Sequence, residues 1–187
     1  MNDIKTSYGL GRLIVVADKG LNSTSNIDYI MNNGDGYVVS QILRGPKGKR
    51  YHEIMSQEEG YVGDGNFKYK LFEEEYVSHI NSKKTTTRKR KVLIYRSKED
   101  ADYARKKRNE KLARANKAIQ NNVYGTKKGA SDYVTTTHVV STTGEIGDQA
   151  IISIDMDKVI EDEKFDGYFC IITSELDYDH KKILEVY

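Results

Sequence analysis

The chain has 187 residues and a formal net charge of +2, enough length for one hydrophobic core with a sizeable insertion. Its 14 tyrosines and abundant isoleucine and valine argue against disorder, although 31% of residues are charged. No apolar stretch reaches the roughly 18 residues of a membrane span, and the first residues lack a secretory signal. The single cysteine, Cys170, excludes a disulfide framework. The sequence therefore predicts a cytoplasmic protein with no membrane partner.

The first predicted element is a strand over residues 13–16. This run is apolar and mostly β-branched, which indicates a strand buried on both faces. It leads to Asp18, a carboxylate at the end of a strand where open α/β sheets place their chemistry. A helix follows, with Ser25 and Asp28 as its capping box, and then a strand over 37–43. This order predicts a parallel βαβ unit.

Residues 47–164 have a different character and are predicted to form a β-rich insertion. Short strand candidates lie at 51–55, 68–72 and 92–95, with antiparallel pairing through glycine-rich turns. The carboxylate clusters 73–75 and 161–163 are interpreted as solvated loops. A long helix with few apolar residues is predicted over about 98–121, and further strands over 133–140 and 150–154.

The last stretch resembles the first in its composition. Residues 168–173 predict a buried strand, and Asp177 is a candidate N-cap for a closing helix. One face of that helix is apolar, with His180, Ile183, Leu184 and Tyr187 at the spacing i, i+3, i+4, i+7. The pattern has no C-terminal stop signal, so the helix is expected to be cut in its middle.

These segments, in this order, resemble the DDE transposases of bacterial insertion sequences with a Tyr-x2-Arg-x3-Glu-x6-Lys signature. The family's apolar-Asp-x-Gly motif matches Asp18, Lys19 and Gly20, and Tyr187 matches the tyrosine that opens the signature. The family's Asp-Gly-aromatic strand matches residues 166–169. The resemblance implies an α/β fold: an incomplete RNase H-like core over 1–46 and 165–187, interrupted by a β-rich insertion over 47–164 with one long basic helix.

In that family two aspartates and a glutamate hold two Mg²⁺ ions for DNA strand cleavage and strand transfer. The resemblance implies that Asp18 is a catalytic residue and metal ligand. It also implies that the first aspartate and the glutamate of the triad are missing, since each falls outside the chain. A truncated transposase with weak or no Mg²⁺ binding and no cleavage activity is therefore expected. Without the resemblance, an aspartate after a strand is more typical of a turn or helix cap.

Charge is distributed unevenly along the chain. Residues 1–82 carry a net charge of −2, residues 83–128 carry +13 and residues 129–187 carry −9. A basic segment of this kind is typical of a polyanion-binding surface, and DNA is the expected partner. A charge run is also commonly a solvated face. The candidate DNA-binding residues are Lys83, Lys84, Arg88, Lys89, Arg90, Lys91, Arg105, Lys106, Lys107 and Arg108.

An alternative function is a non-catalytic DNA-binding or regulatory protein derived from a transposase. Such a protein would form homo-oligomers, or mixed oligomers with an intact transposase. A zinc site is not predicted, because the four histidines are scattered without ligand spacing.

Overall fold

The computed structural model describes residues 2–121, 131–140 and 146–187. In chain order the elements are α1 (Asn2–Tyr8), β1 (Ile14–Ala17), α2 (Thr24–Asn32), β2 (Gly36–Ser40), α3 (Lys49–Ser56), β3 (Val62–Gly63), β4 (Phe67–His79), β5 (Thr85–Ser97), α4 (Lys98–Gln120), β6 (Val134–Val140), β7 (Ile146–Ile154), α5 (Met156–Glu163), β8 (Tyr168–Thr173) and α6 (His180–Val186). Short 3₁₀ helices lie at Lys19–Leu21, Pro46–Gly48 and Ser131–Tyr133. The fold is mixed α/β.

The chain divides into two compact units. The sheet unit contains the chain up to Ser97 together with Tyr168–Tyr187, and the second unit is Lys98–Gly167. These divisions differ from the predicted boundaries at 46/47 and 164/165. The difference arises because β3, β4 and β5 pair in the same sheet as β1 and β2, so residues up to 97 belong with the first βαβ segment.

The sheet unit is built on six strands in the order β1-β2-β8-β5-β4-β3. β1 and β2 are parallel, as the βαβ pattern predicts, and each remaining neighbouring pair is antiparallel. β4 and β5, of 13 residues each, form a hairpin whose far half extends beyond β8, because β8 pairs only with Lys91–Arg96 of β5. The sheet is thus six-stranded at one end and a two-stranded ribbon at the other.

Helices cover both faces of this sheet. Ile183 of α6 packs with Val38, Leu93 and Ile171 in a fully buried cluster on one face. Side chains alternate between the faces of a strand, so Glu74 and Ser78 of β4 lie on the opposite face from Leu71. That opposite face carries α2 and α3, whose buried residues include Ile27, Ile30, Tyr51 and Met55.

The first strand is not buried on both faces as predicted. β1 is the edge strand of the sheet, and Val16 is 44% exposed. An apolar, β-branched run indicates a strand but does not determine its place in the sheet, which depends on pairing with distant segments. β2 is correctly predicted as a strand, but it ends at Ser40 rather than at residue 43.

Several local predictions about helices and loops are wrong. Residues 51–55 are helical in α3, because Tyr51 and Met55 share its buried face four residues apart. The N-cap of α2 is Ser23 rather than Ser25, and that of α6 is Asp179 rather than Asp177. The predicted acidic loops are ordered: 73–75 lie in β4 and 161–163 in α5.

The second unit contains α4, β6, β7 and α5. α4 is the predicted long helix, and β6 and β7 form an antiparallel pair where strands were predicted. α5 begins at the N-cap Asp155, whose side chain accepts a hydrogen bond from the backbone N–H of Lys158. The Tyr133 hydroxyl donates to Asp162 of α5 at 2.6 Å, which ties that helix to the residue before β6.

Candidate nucleic-acid interface

Asp18 lies at the carboxyl end of β1 and is exposed, as the sequence predicts for its position. One of its oxygens, Oδ1, accepts hydrogen bonds from the Ser40 hydroxyl at 2.7 Å and from the backbone N–H of Lys19 at 2.6 Å. These two bonds, Ser40 first, hold the pKa of the Asp18 carboxyl below its usual value. Asp18 is thereby the N-cap of the Lys19–Leu21 helix and a link between β1 and β2.

The surroundings of Asp18 do not fit a magnesium site. Mg²⁺ requires near-octahedral oxygen coordination, usually with carboxylates of more than one residue or with substrate phosphates. In the part of the chain that the structure describes, no group of three or more His, Cys, Asp or Glu side chains is placed to hold a metal ion. Capping of the 3₁₀ helix and the hydrogen bond from the Ser40 hydroxyl are a sufficient structural role for Asp18.

The other residues of the transposase-like motif take ordinary positions. Gly20 lies in the 3₁₀ helix after Asp18, where a Cβ atom would meet nothing within 4 Å. Tyr187 is the C-cap residue of α6 and is 44% exposed. Asp166 is buried in the second unit, where it binds Arg108. The expected motif residues thus belong to separate local structures.

Most of the basic run on β5 is engaged within the sheet unit. Arg90 donates from Nε to Glu74 at 2.7 Å and from a terminal nitrogen to the Tyr51 hydroxyl at 2.7 Å. Arg88 donates to the hydroxyl of Ser78 and to the amide oxygen of Asn32. These guanidinium groups stabilise the packing of α2 and α3 on the sheet.

Two lysines on the other face of β5 have acidic cross-strand partners. Lys89 lies opposite Glu75 and Lys91 lies opposite Glu73 in the β4–β5 register. Directly opposite residues are close enough for their charges to compensate each other. Lys91 also donates to the carbonyl of Tyr178 at 2.9 Å. Lys83 and Lys84, in the hairpin turn, are exposed.

The basic helix α4 has a narrow buried side. Ala101, Arg108 and Ala115 recur every seven residues and are its fully buried positions. At 100° per residue, Glu99 and Glu110 lie on the side of the helix opposite this buried line. Four cations lie there with them, Lys106, Arg114 and Lys117 on the same side and Lys107 on its flank. All four of these side chains are exposed. α4 therefore presents a basic stripe, defined as Lys106, Lys107, Arg114 and Lys117.

Three members of the basic stripe have no ionic partner among the residues that the structure describes. Within the described ranges, Lys106, Arg114 and Lys117 make no hydrogen bond or ion pair, whereas Lys107 pairs with Glu110 at 3.4 Å. Arg105, also predicted to bind DNA, lies beside this stripe and pairs with Asp102 at 3.6 Å. The basic stripe therefore holds three cations of α4 that are unpaired among the described residues, with Glu110 lying between them.

Tyr103 extends the basic stripe with an aromatic ring that the sequence does not reveal. Its side chain is 61% exposed. The ammonium group of Lys107 lies 5.5 Å from the centre of its ring. The position of Tyr103, three residues before Lys106 and on the side of α4 away from Ala101, is the sequence feature that indicates its exposure.

Comparisons with known proteins give no relative. No family model matches the chain, and no curated protein and no solved structure matches it. Among the described residues, no helix is long and apolar enough to cross a membrane.

Proposed function

We propose that this chain binds DNA without cutting it, as a catalytically incomplete relative of the DDE transposases. The observation that carries the proposal is the basic stripe on α4, with Lys106, Arg114 and Lys117 exposed and unpaired in the described part of the chain. Phosphate contacts require such cations and give affinity that depends on salt and little on base sequence.

The geometry of α4 suits a polyanion. From Lys106 to Lys117 the helix rises about 16 Å, at 1.5 Å per residue. Duplex DNA carries one negative charge per about 1.7 Å of axis, so a stripe of this length faces several phosphates. Neutralising three or four of them gives a slope of log K against log salt of about −3 to −4.

The transposase relationship rests on the βαβ segment. Asp18 follows β1, and β1 pairs in parallel with β2 after the intervening α2, in the order that the resemblance implies. An RNase H-like ancestry of this segment is part of the proposal. The capping role of Asp18 supports the non-catalytic part, because the same carboxylate oxygen binds Ser40 and Lys19.

Regulation of an intact element is the physiological role that we propose for such a protein. A chain that binds the same DNA, or that joins mixed oligomers with an intact transposase, lowers the activity of that enzyme. Where no intact transposase is present, the chain would form homo-oligomers instead.

Titration of duplex DNA, measured by fluorescence anisotropy at several salt concentrations, tests the proposal. The variant K106Q/R114Q/K117Q removes the unpaired cations of the stripe, and K19Q/K49Q/K181Q removes the same charge from exposed lysines of the sheet unit. The stripe variant is expected to flatten the salt slope by about 3 and to lose at least about tenfold in affinity near 200 mM salt. Equal losses in both variants, or no binding near 50 mM salt, would contradict the proposal.

Incubation of supercoiled plasmid with Mg²⁺ tests the non-catalytic part. We expect no nicking above background. Nicking by the purified chain that disappears in Asp18→Ala would show that Asp18 still acts in catalysis.

A further inference from the structure

We propose that the sheet unit also contains a binding site for a small phosphate-bearing aromatic ligand, of the size of a nucleoside monophosphate. The site is a cleft of about 290 Å³ between α2 and α3 on the sheet. It lies within a single compact unit and is independent of the basic stripe on α4. Thr24, Lys47, Tyr51, Tyr76 and Arg90 are among the residues that line the cleft.

The cleft exists because polar side chains separate the two helices on this face. Asp28 holds α2 to the far end of the hairpin by accepting from the hydroxyl of Ser78 at 2.7 Å. Tyr51 holds α3 to the sheet by donating to Glu74 at 2.5 Å. Between these two attachments the ribbon of β4 and β5 forms the floor, with Tyr76 and Arg90 facing the helices.

The charges around the cleft favour an anion. Glu74 is buried and its two oxygens are compensated by two guanidiniums, Arg90 at 2.7 Å and Arg50 at 2.7 Å. One positive charge is thus left over in this network. Lys47 adds an ammonium group at the rim, with no partner in the described part of the chain. Asp28 also lines the cleft, with its oxygens bonded to Ser78 and to His79 at 3.1 Å. The three cations Arg50, Arg90 and Lys47 therefore exceed the two carboxylates Glu74 and Asp28 by one charge.

An aromatic wall stands beside these cations. The Tyr76 ring lies under the guanidinium of Arg90, at 4.8 Å from the ring centre. Tyr51 and Ile27 complete an apolar side of the cleft. Small-molecule sites combine an apolar or aromatic wall with a few placed polar groups, as here. A planar ring fits against this wall while its phosphate reaches Lys47 and the Thr24 hydroxyl.

The floor of the cleft also contains an unsatisfied donor. The buried hydroxyls of Tyr76 and Tyr37 lie next to each other, and neither makes a well-aligned hydrogen bond among the described residues. An unsatisfied buried polar group is costly, and native proteins keep few of them. A phosphate oxygen is an acceptor of the kind that the Tyr76 hydroxyl lacks.

Titration with adenosine monophosphate and, separately, inorganic phosphate tests this site by two-dimensional NMR of the full chain. We expect shifts confined to α2, α3, β4 and β5, saturating at or below about 1 mM nucleotide. Lys47→Gln is expected to weaken binding about tenfold, and the matched control Lys49→Gln, two residues away and 77% exposed in its side chain, to leave it unchanged.

Tyr76→Phe separates binding from folding. The variant removes an unpaired hydroxyl, so thermal stability is expected to stay equal or to rise while nucleotide affinity falls. No shifts at about 1 mM nucleotide, or equal weakening by Lys47→Gln and Lys49→Gln, would overturn the proposal. If inorganic phosphate binds as tightly as the nucleotide, the aromatic ring of the ligand contributes nothing to binding, and the proposal that the ligand is aromatic would be overturned. The α4 stripe variant K106Q/R114Q/K117Q is expected to retain nucleotide binding.

Discussion

Arg108 binds Asp166 through both terminal nitrogens of its guanidinium, at 2.7 Å and 2.6 Å to the two carboxylate oxygens. Arg108 is 5% exposed and Asp166 is 9% exposed. The hydrogen bonds to the Asp166 carboxylate raise the pKa of the Arg108 guanidinium above its usual value. A residue predicted to contact DNA is therefore the internal anchor of α4, and the aspartate of the transposase-like motif is its partner.

The first prediction concerns this pair. Arg108→Met is expected to destabilise the second unit by about 3 kcal/mol, because it leaves the buried Asp166 carboxylate unpaired. The double variant R108M/D166N is expected to recover part of that loss. Urea unfolding followed by circular dichroism gives the free energies for the double-mutant cycle. Additive effects in the cycle would show that the pair contributes no coupling; Lys106→Met, an exposed neighbour, serves as the control.

Patterns local in sequence predict part of this fold. The parallel βαβ segment, the long helix α4 and the strand β8 follow from short periodic runs. The place of β1 at the edge does not, because it depends on β8, about 150 residues away, pairing with β2. Residues 51–55 do not predict α3, because a run of five residues with three apolar positions fits a strand as well as a helix turn.

The candidate interface was predictable as a charged segment but not as a surface. Arg90 and Arg108 belong to the same basic segment of the sequence, yet their partners Glu74 and Asp166 lie 16 and 58 residues away from them. Which cations remain unpaired depends on those distant carboxylates. The sequence therefore indicates a polyanion-binding region, and tertiary contacts select the side of α4 that remains available.

The second prediction concerns Glu74. Glu74→Gln is expected to destabilise the sheet unit by about 3 kcal/mol, because the half-buried Arg90 loses its compensating charge. Glu75→Gln, one residue along β4 and exposed, is expected to change the free energy of unfolding by less than about 0.5 kcal/mol. Chemical denaturation of the two variants under identical conditions measures the difference. Equal small effects would show that Arg50 and Arg90 do not depend on this carboxylate.

The third prediction is a loss of stability in acid. Arg12 donates to both oxygens of Glu175, at 2.8 Å and 2.6 Å, and this interaction lowers the pKa of the Glu175 carboxyl from its reference value of 4.5. As the pH falls, the unfolded chain therefore binds a proton at Glu175 before the folded chain does. The stability that the Arg12–Glu175 pair contributes is complete above pH 4.5 and is lost as the pH falls through the folded-state pKa of Glu175.

Arg12→Ala tests this pH dependence. The variant is expected to lose about 1 kcal/mol at neutral pH, a modest amount because Arg12 is half exposed, and progressively less below pH 4.5. Thermal melts from neutral to acidic pH give the difference curve. A constant difference across that range would show that the Arg12–Glu175 pair is not its source; Lys181→Ala, exposed on α6, is the control.

The fourth prediction uses two glycines that differ in their surroundings. A Cβ atom at Gly36 would lie 2.1 Å from Oε1 of Glu175 and 2.6 Å from Nη2 of Arg12, whereas one at Gly20 would meet nothing within 4 Å. Gly36→Ala is therefore expected to displace the Arg12–Glu175 pair and to reproduce the pH dependence of Arg12→Ala. Gly20→Ala is expected to be neutral, or stabilising by up to about 1 kcal/mol through the unfolded state.

Combining Gly36→Ala with Arg12→Ala decides whether the two act through one interaction. If they do, the double variant is expected to be at most about 0.5 kcal/mol less stable than Gly36→Ala alone, because the Arg12–Glu175 pair is already broken in that variant. A fully additive loss would place the effect of Gly36→Ala in the backbone, at the start of β2, rather than in the ion pair. Melting curves of the three variants at neutral pH and below pH 4.5 separate these outcomes, because only loss of the pair changes the acid dependence.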